Sequence, residues 1–329
     1  MSCIPWYATY CEARKTPRGM NTTRAMVKRI KNGDVADISK LPFMVGLYTS
    51  LKAEGGIETF GVCGGSIISE KHILTAAHCF KKKPGMVVEP SQVKVLLGSN
   101  IFLECKKFAI TNIIPHEKYD YMLENDSPNF GYDLAIVEID NKEYRNMISK
   151  KINIMAGDPN YSEPLEIAGW GAVRRTSDST GTSKRVLTKG TVQLKHIKDI
   201  SSEQGFVTTK SDSDFENEYL SGNKAELGDS GGPLYASNDG FLLVGITVGY
   251  TTYLSSKTHP SDTEKNIDVA SYVSMKKHIK WITKKTGLSE NYLYKGPTGV
   301  GSPTKPNCDS HLGIGYTLAY IVCFIGFLR

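Results

Sequence analysis

The chain has 329 residues, of which 40% are hydrophobic and 22% charged, the balance of an ordinary globular protein. Its formal charge of +6 sits mostly in residues 1–29, where Arg14, Lys15, Arg18, Arg24, Lys28 and Arg29 face Glu12 alone. The rest of the chain is nearly neutral, which excludes a basic face for nucleic acid. Seven cysteines are too few for a disulfide-stapled scaffold, and an odd count leaves at least one outside any intrachain pair.

In chain order, residues 1–29 form a basic segment. Residues 1–11 show neither a basic start nor a clean apolar stretch of the signal-peptide kind. Beyond residue 40 the chain reads as short strands, with examples at 43–48, 65–68, 93–97, 134–139, 192–194 and 241–248. These runs are rich in Val, Ile, Leu and Tyr and are separated by Gly, Pro, Asn, Asp and Ser. A single amphipathic helix is expected at 273–285, with Ile279 and Ile282 on one face and Trp281 close by. Many short strands and one late helix predict an all-β barrel or sandwich. Asn21, Asn125 and Asn160 begin triplets that fit the N-glycosylation pattern, which permits a secretory route without requiring it.

The composition changes past Gly287. Residues 296–310 read as a Pro/Gly-rich linker, and residues 312–328 carry no charge before Arg329. That run is at the lower limit for a bilayer-spanning helix. Two forms fit it: a short span with Arg329 on the cytoplasmic side, or a removable lipid-anchor signal with Gly299, Gly301 and Ser302 upstream.

The chemistry concentrates in Gly228-Asp229-Ser230-Gly231-Gly232-Pro233. A serine hydroxyl needs an adjacent base, a group that orients the base, and N–H donors for the developing oxyanion. Upstream lie Ile30-Lys31-Asn32-Gly33, Cys63-Gly64-Gly65-Ser66, Thr75-Ala76-Ala77-His78-Cys79, Asp133-Leu134-Ala135 and Gly169-Trp170-Gly171. In these motifs and their order, residues 30–287 resemble the trypsin/chymotrypsin family of serine endopeptidases. The resemblance implies two six-stranded antiparallel β-barrels followed by a C-terminal α-helix. It implies a His78, Asp133, Ser230 triad in the family's chain order, which is not the order of the α/β-hydrolase esterases. It further implies an oxyanion hole from the N–H groups of Gly228 and Ser230, and a Cys63–Cys79 disulfide that requires an oxidising compartment.

By the same resemblance residues 1–29 are a propeptide. Arg29-Ile30 is then the activation bond, and the freed amine of Ile30 pairs with Asp229. Residues 288–311 are assigned as linker and 312–329 as a hydrophobic tail. The implied location is extracellular or at the cell surface. The implied partners are protein or peptide substrates, an activating trypsin-like protease, and serpin or Kunitz-type inhibitors. No cofactor or metal is expected.

Some positions depart from the family pattern. Leu165 and Glu226 stand where cysteines are usual. Lys224 stands six residues before Ser230, where trypsin-like members carry an aspartate, and Asp268 stands where glycine is usual. Either Lys224 pairs with Asp268, or a shortened loop carries it to the surface. Val248-Gly249-Tyr250 replaces the usual Ser-Trp-Gly, so Tyr250 is expected to narrow the pocket entrance. Primary specificity is therefore expected not to be plain trypsin-like. The alternative is a catalytically silent homologue that acts as a binding or regulatory module.

Overall fold

The computed structural model describes residues 30, 33–52, 58–83, 86–119, 130–148, 150–160, 162–171, 185–192, 194, 206–210, 225, 228–238, 240–254 and 266–294. The first strand among the described residues, β1 (Asp34–Val35), belongs to the second of two curled antiparallel sheets. The first sheet is built from β2 (Met44–Lys52), β3 (Glu58–Ile67), β4 (His72–Thr75), β7 (Val93–Leu97), β8 (Lys106–Ala109), β9 (Asn112–Pro115) and β10 (Ala135–Glu138). A small hairpin, β5 (Lys81–Lys83) with β6 (Met86–Val87), stands apart from both sheets.

The strand order of the first sheet, β8-β7-β2-β3-β4-β10-β9, explains its shape. Its two outer strands are halves of one run, 106–115, interrupted only at Ile110–Thr111. One bent strand therefore closes both ends, and seven segments make a six-stranded barrel. β7 is covered on both faces: Val93, Val95, Leu96 and Leu97 are buried and only Lys94 is half-buried.

A short helix, α1 (Lys142–Met147), follows, capped by the Asn141 side chain, which accepts from Tyr144 N–H at 3.0 Å. The second sheet then adds β11 (Asn153–Ile154), β12 (Leu165–Gly169), β13 (Thr188–Val192), β14 (Phe206–Lys210), β15 (Pro233–Ala236), β16 (Leu242–Leu254) and β17 (Asn266–Ser274). Its main path is β1-β13-β12-β15-β16-β17-β14, with β11 joined in parallel to β16. Without the two-residue pieces β1 and β11 it has six strands, so the all-β two-barrel architecture is the expected one.

The chain ends its described part with α2 (Met275–Thr286) and α3 (Glu290–Tyr294). α2 starts two residues later than its apolar spacing suggests, because Val273 still pairs with both Phe206 and Ile246 as sheet. It stops at Gly287, whose φ of 71° supplies the left-handed cap and whose N–H donates to Thr283 O at 2.9 Å. Met275, His278, Ile279 and Ile282 form its buried face.

Candidate active site

The register of β4 and β10 positions the first two residues. Ala135 pairs with Thr75, so the chain segments just beyond Thr75 and just before Ala135 emerge at the same sheet end. After Ala76 the chain makes one 3-10 turn, Ala77–Cys79, which carries His78. Cys79 is joined to Cys63 of β3, which ties down that turn as the resemblance implied. On the other strand the turn Phe130–Tyr132 delivers Asp133.

Asp133 is 1% exposed and grips the histidine twice. Its Oδ1 accepts from the His78 backbone N–H at 2.8 Å, and its Oδ2 lies 2.6 Å from Nδ1. An ionised carboxylate only accepts hydrogen bonds, so Nδ1 carries the hydrogen and Nε2 keeps the lone pair. His78 itself remains 27% exposed. This is an oriented base with its carboxylate buried and its imidazole reachable.

The serine loop docks against the same corner from the second sheet. The Ser230 carbonyl accepts from Gly64 N–H at 2.7 Å, and Gly231 N–H donates to Thr247 O at 2.7 Å. Gly231 has φ of 80°, and a Cβ there would lie 2.1 Å from Thr75 Oγ1 and 3.0 Å from Ala76 N. Only glycine meets both demands. The loop is thus pressed onto the strand end that leads into His78. Gly228, with φ of 100°, turns the chain into Asp229 and Ser230.

Asp229 is 2% exposed, and its Oδ1 accepts from Gly171 N–H at 2.7 Å. A Cβ on Gly169 would fall 2.1 Å from Oδ1, and one on Gly171 would fall 2.4 Å from Oδ2. Ile30 is fully buried in a cluster with Leu165, Ile167, Val192 and Leu234. Its N–H donates to Thr188 Oγ1 at 3.0 Å, and that hydroxyl donates to Gly169 O at 3.4 Å. The Ile30 nitrogen therefore reaches Gly169 through the Thr188 hydroxyl, while the Asp229 carboxylate fills the space a Cβ on that glycine would need.

The pocket residues divide. Val248 is buried on β16, at a bulge that drops it out of the ladder between Thr247 and Gly249. Tyr250 pairs with Ala270 and Thr252 with Asp268, so Tyr250 and Asp268 stand two register positions apart on paired strands. Arg29, Lys224 and Glu226 lie outside the described residues, as does the hydrophobic tail. Leu165 is buried in the second sheet.

Among the described residues, Cys63, His78 and Cys79 bring ligand-type atoms within 4.8 Å of one another. The two sulfurs are bonded to each other, which removes both thiolates and leaves no ligand set there. Cys105 is a buried free thiol, held above its usual range by burial.

Several neighbours of the site carry no motif. Arg185 donates from a half-buried guanidinium to Trp170 O at 3.3 Å, and its Nη1 lies 2.8 Å from where a Gly228 Cβ would stand. Burial lowers its pKa and the Asp229 charge opposes that. His116, Tyr132, His278 and Trp281 form an aromatic group behind Asp133. A signal for His278 was present in the helix pattern, since it is one turn before Ile282; none marked Arg185.

A family model described as Trypsin matches residues 30–282. Hypodermin-B of Hypoderma lineatum is 29% identical over 66% of this chain and 76% of its own. A trypsin of Simulium vittatum is 29% identical over 66% of this chain and 81% of its own. Phenoloxidase-activating factor 3 of Holotrichia diomphalia is 26% identical over 77% of this chain and 71% of its own.

Proposed function

The chain belongs to the trypsin family of serine endopeptidases, and on that premise we propose that it cleaves peptide bonds through His78, Asp133 and Ser230. Ser230 Oγ attacks the scissile carbonyl while His78 Nε2 takes its proton. The N–H groups of Gly228 and Ser230 receive the oxyanion. The imidazolium returns the proton to the leaving amine, and an acyl ester on Ser230 remains. Water, deprotonated by the same nitrogen, then hydrolyses that ester. Asp133 holds the Nδ1–H tautomer and stabilises the imidazolium. The observation that carries this reading is the double contact of Asp133 with His78, at 2.8 and 2.6 Å.

Activation by cleavage at Arg29-Ile30 belongs to the same reading. An ammonium formed at Ile30 is linked by the Thr188 hydroxyl to Gly169, against which the Asp229 carboxylate lies, and a buried carboxylate favours a cationic partner. Residues 1–29 then act as a propeptide, 30–287 as the protease domain, 288–311 as a linker and 312–329 as a surface anchor. The enzyme works outside the cell or at its surface, on protein or peptide substrates, after an activating protease and under inhibitor control.

The full chain, once cleaved after Arg29, should bind a fluorophosphonate covalently at Ser230, and Ser230→Ala should abolish the adduct. Verified cleavage without labelling would establish the silent binding module instead. Specificity is read separately on a peptide library randomised at the residue before the scissile bond. With Lys224 in place of an aspartate, Arg and Lys are expected not to dominate, and strong selection for either would refute the altered pocket.

A further inference from the structure

We propose that His278 is a positioning residue for Asp133: from the C-terminal helix it donates to Gly131 O at 2.8 Å and so fixes the turn that presents the carboxylate. The inference rests on the triad reading above. A carbonyl only accepts, so the ring nitrogen Nε2 must carry the hydrogen in this contact. Both partners are buried, and loss of the donor would leave a backbone carbonyl unsatisfied.

The turn is held on its other side too. Leu134 O accepts from His116 N–H at 2.8 Å, and Leu134 N–H donates back to Tyr132 O at 2.7 Å. Tyr132, the residue just before Asp133, lies with its ring 4.9 Å from His116 and 5.6 Å from His278. The two imidazoles meet edge to face at 5.2 Å, and Trp281 stacks on His116 at 4.8 Å. Trp281 Nε1 donates to Glu117 at 2.6 Å, and Glu117 also pairs with Lys285. Lys118 N–H donates to His116 Nδ1 at 3.1 Å, which requires a lone pair there and hence a neutral ring. The charges around the pair are Glu117, Lys118, Lys277 and Lys285.

None of this touches substrate. Its chemical effect passes through Asp133, which sets the tautomer of His78 and the stability of its imidazolium. Loosening the turn therefore weakens the support of the imidazolium and spoils the aim of the base, without altering what binds. That separates positioning from general stability.

The test uses the full chain, cleaved after Arg29, and the saturating rate and half-saturation of fluorophosphonate inactivation against pH. His278→Met keeps bulk and loses the donor. It should cut the limiting rate about tenfold, leave half-saturation within about twofold and move the acid limb to lower pH. His278→Gln, which still reaches Gly131 O, should restore most of the rate and the limb. Trp281→Leu disturbs the same packing but spares the donor, and its limb should stay in place.

An unchanged limb and rate in His278→Met would overturn the proposal, as would the same shift in Trp281→Leu. Should His278→Met not fold, Gln against Asn decides, because Asn falls one methylene short and only it should move the limb. Asp133→Asn run alongside separates the two levels. Full labelling in that variant refutes the triad reading, whereas a dead Asp133→Asn with normal His278 variants refutes only this inference.

Discussion

Asp229, in the loop before β15, dictates which residues can stand at the end of β12 and just past it. Its carboxylate fills the volume that side chains at 169 and 171 would need, with oxygens 2.1 and 2.4 Å from the two Cβ positions. The Gly-Trp-Gly motif was legible in the sequence as a family mark. Its physical reason was not, because the carboxylate that forbids a Cβ lies about sixty residues downstream. Gly171→Ala must displace that carboxylate, so it should cost about 1–3 kcal/mol by overpacking and slow labelling of Ser230. Gly157→Ala meets nothing within 4 Å and should stay within about 0.5 kcal/mol of the parent. Urea unfolding of both variants measures this, and equal midpoints would contradict it.

Helix α2 and the turn behind Asp133 show how elements lock together across the chain. Burial lowers His116 from 6.5 to about 4, the second cause being the charge of His278. Burial also holds His278 and His72 below the usual histidine range. In each, the unfolded chain takes the proton first as pH falls, so the native state loses ground. For His116 the loss starts near 6.5 and levels off near 4. Glu117, held at about 2 chiefly by its hydrogen bond from Lys285, adds its own loss only below 4.5. The urea midpoint at about pH 5 should therefore lie below that at about pH 7.5, with a smaller gap in His116→Phe. Equal midpoints at the two pH values would disprove it.

The limits of sequence reading are also visible at this scale. The strand at Val93–Leu97 matches its apolar run residue for residue. β13 does not: the apolar signal lies at 192–194, yet the strand is Thr188–Val192. Lys189, Gly190 and Thr191 enter the sheet because β12 supplies each with a ladder partner, and β1 adds a second one for Lys189. Likewise β16 runs on through Gly249 to Leu254 because β17 pairs with it to that end. Partners far away in sequence set those boundaries. The six-residue α1 carries too little periodicity to announce itself, although Asn141 is an ordinary capping residue.

At the scale of the molecule, the barrels were legible through motif order, and His78 with Asp133 through their surroundings. What escaped was the support: Thr188 under Ile30, Arg185 over Gly228, and His278 under Gly131. Each acts through a backbone group or a single contact, which leaves no recurring pattern in a chain. The run 106–115 has a further consequence for handling the protein. Because it supplies both margins of the first sheet, neither margin is a long free edge: the two pieces, Lys106–Ala109 and Asn112–Pro115, are four residues each and joined through the bend. Another chain finds little template for adding a strand, and Lys106 and Lys107 are exposed on one of the two margins. A single bend at Ile110–Thr111 thus leaves the first sheet with little backbone on which a second chain could add a strand.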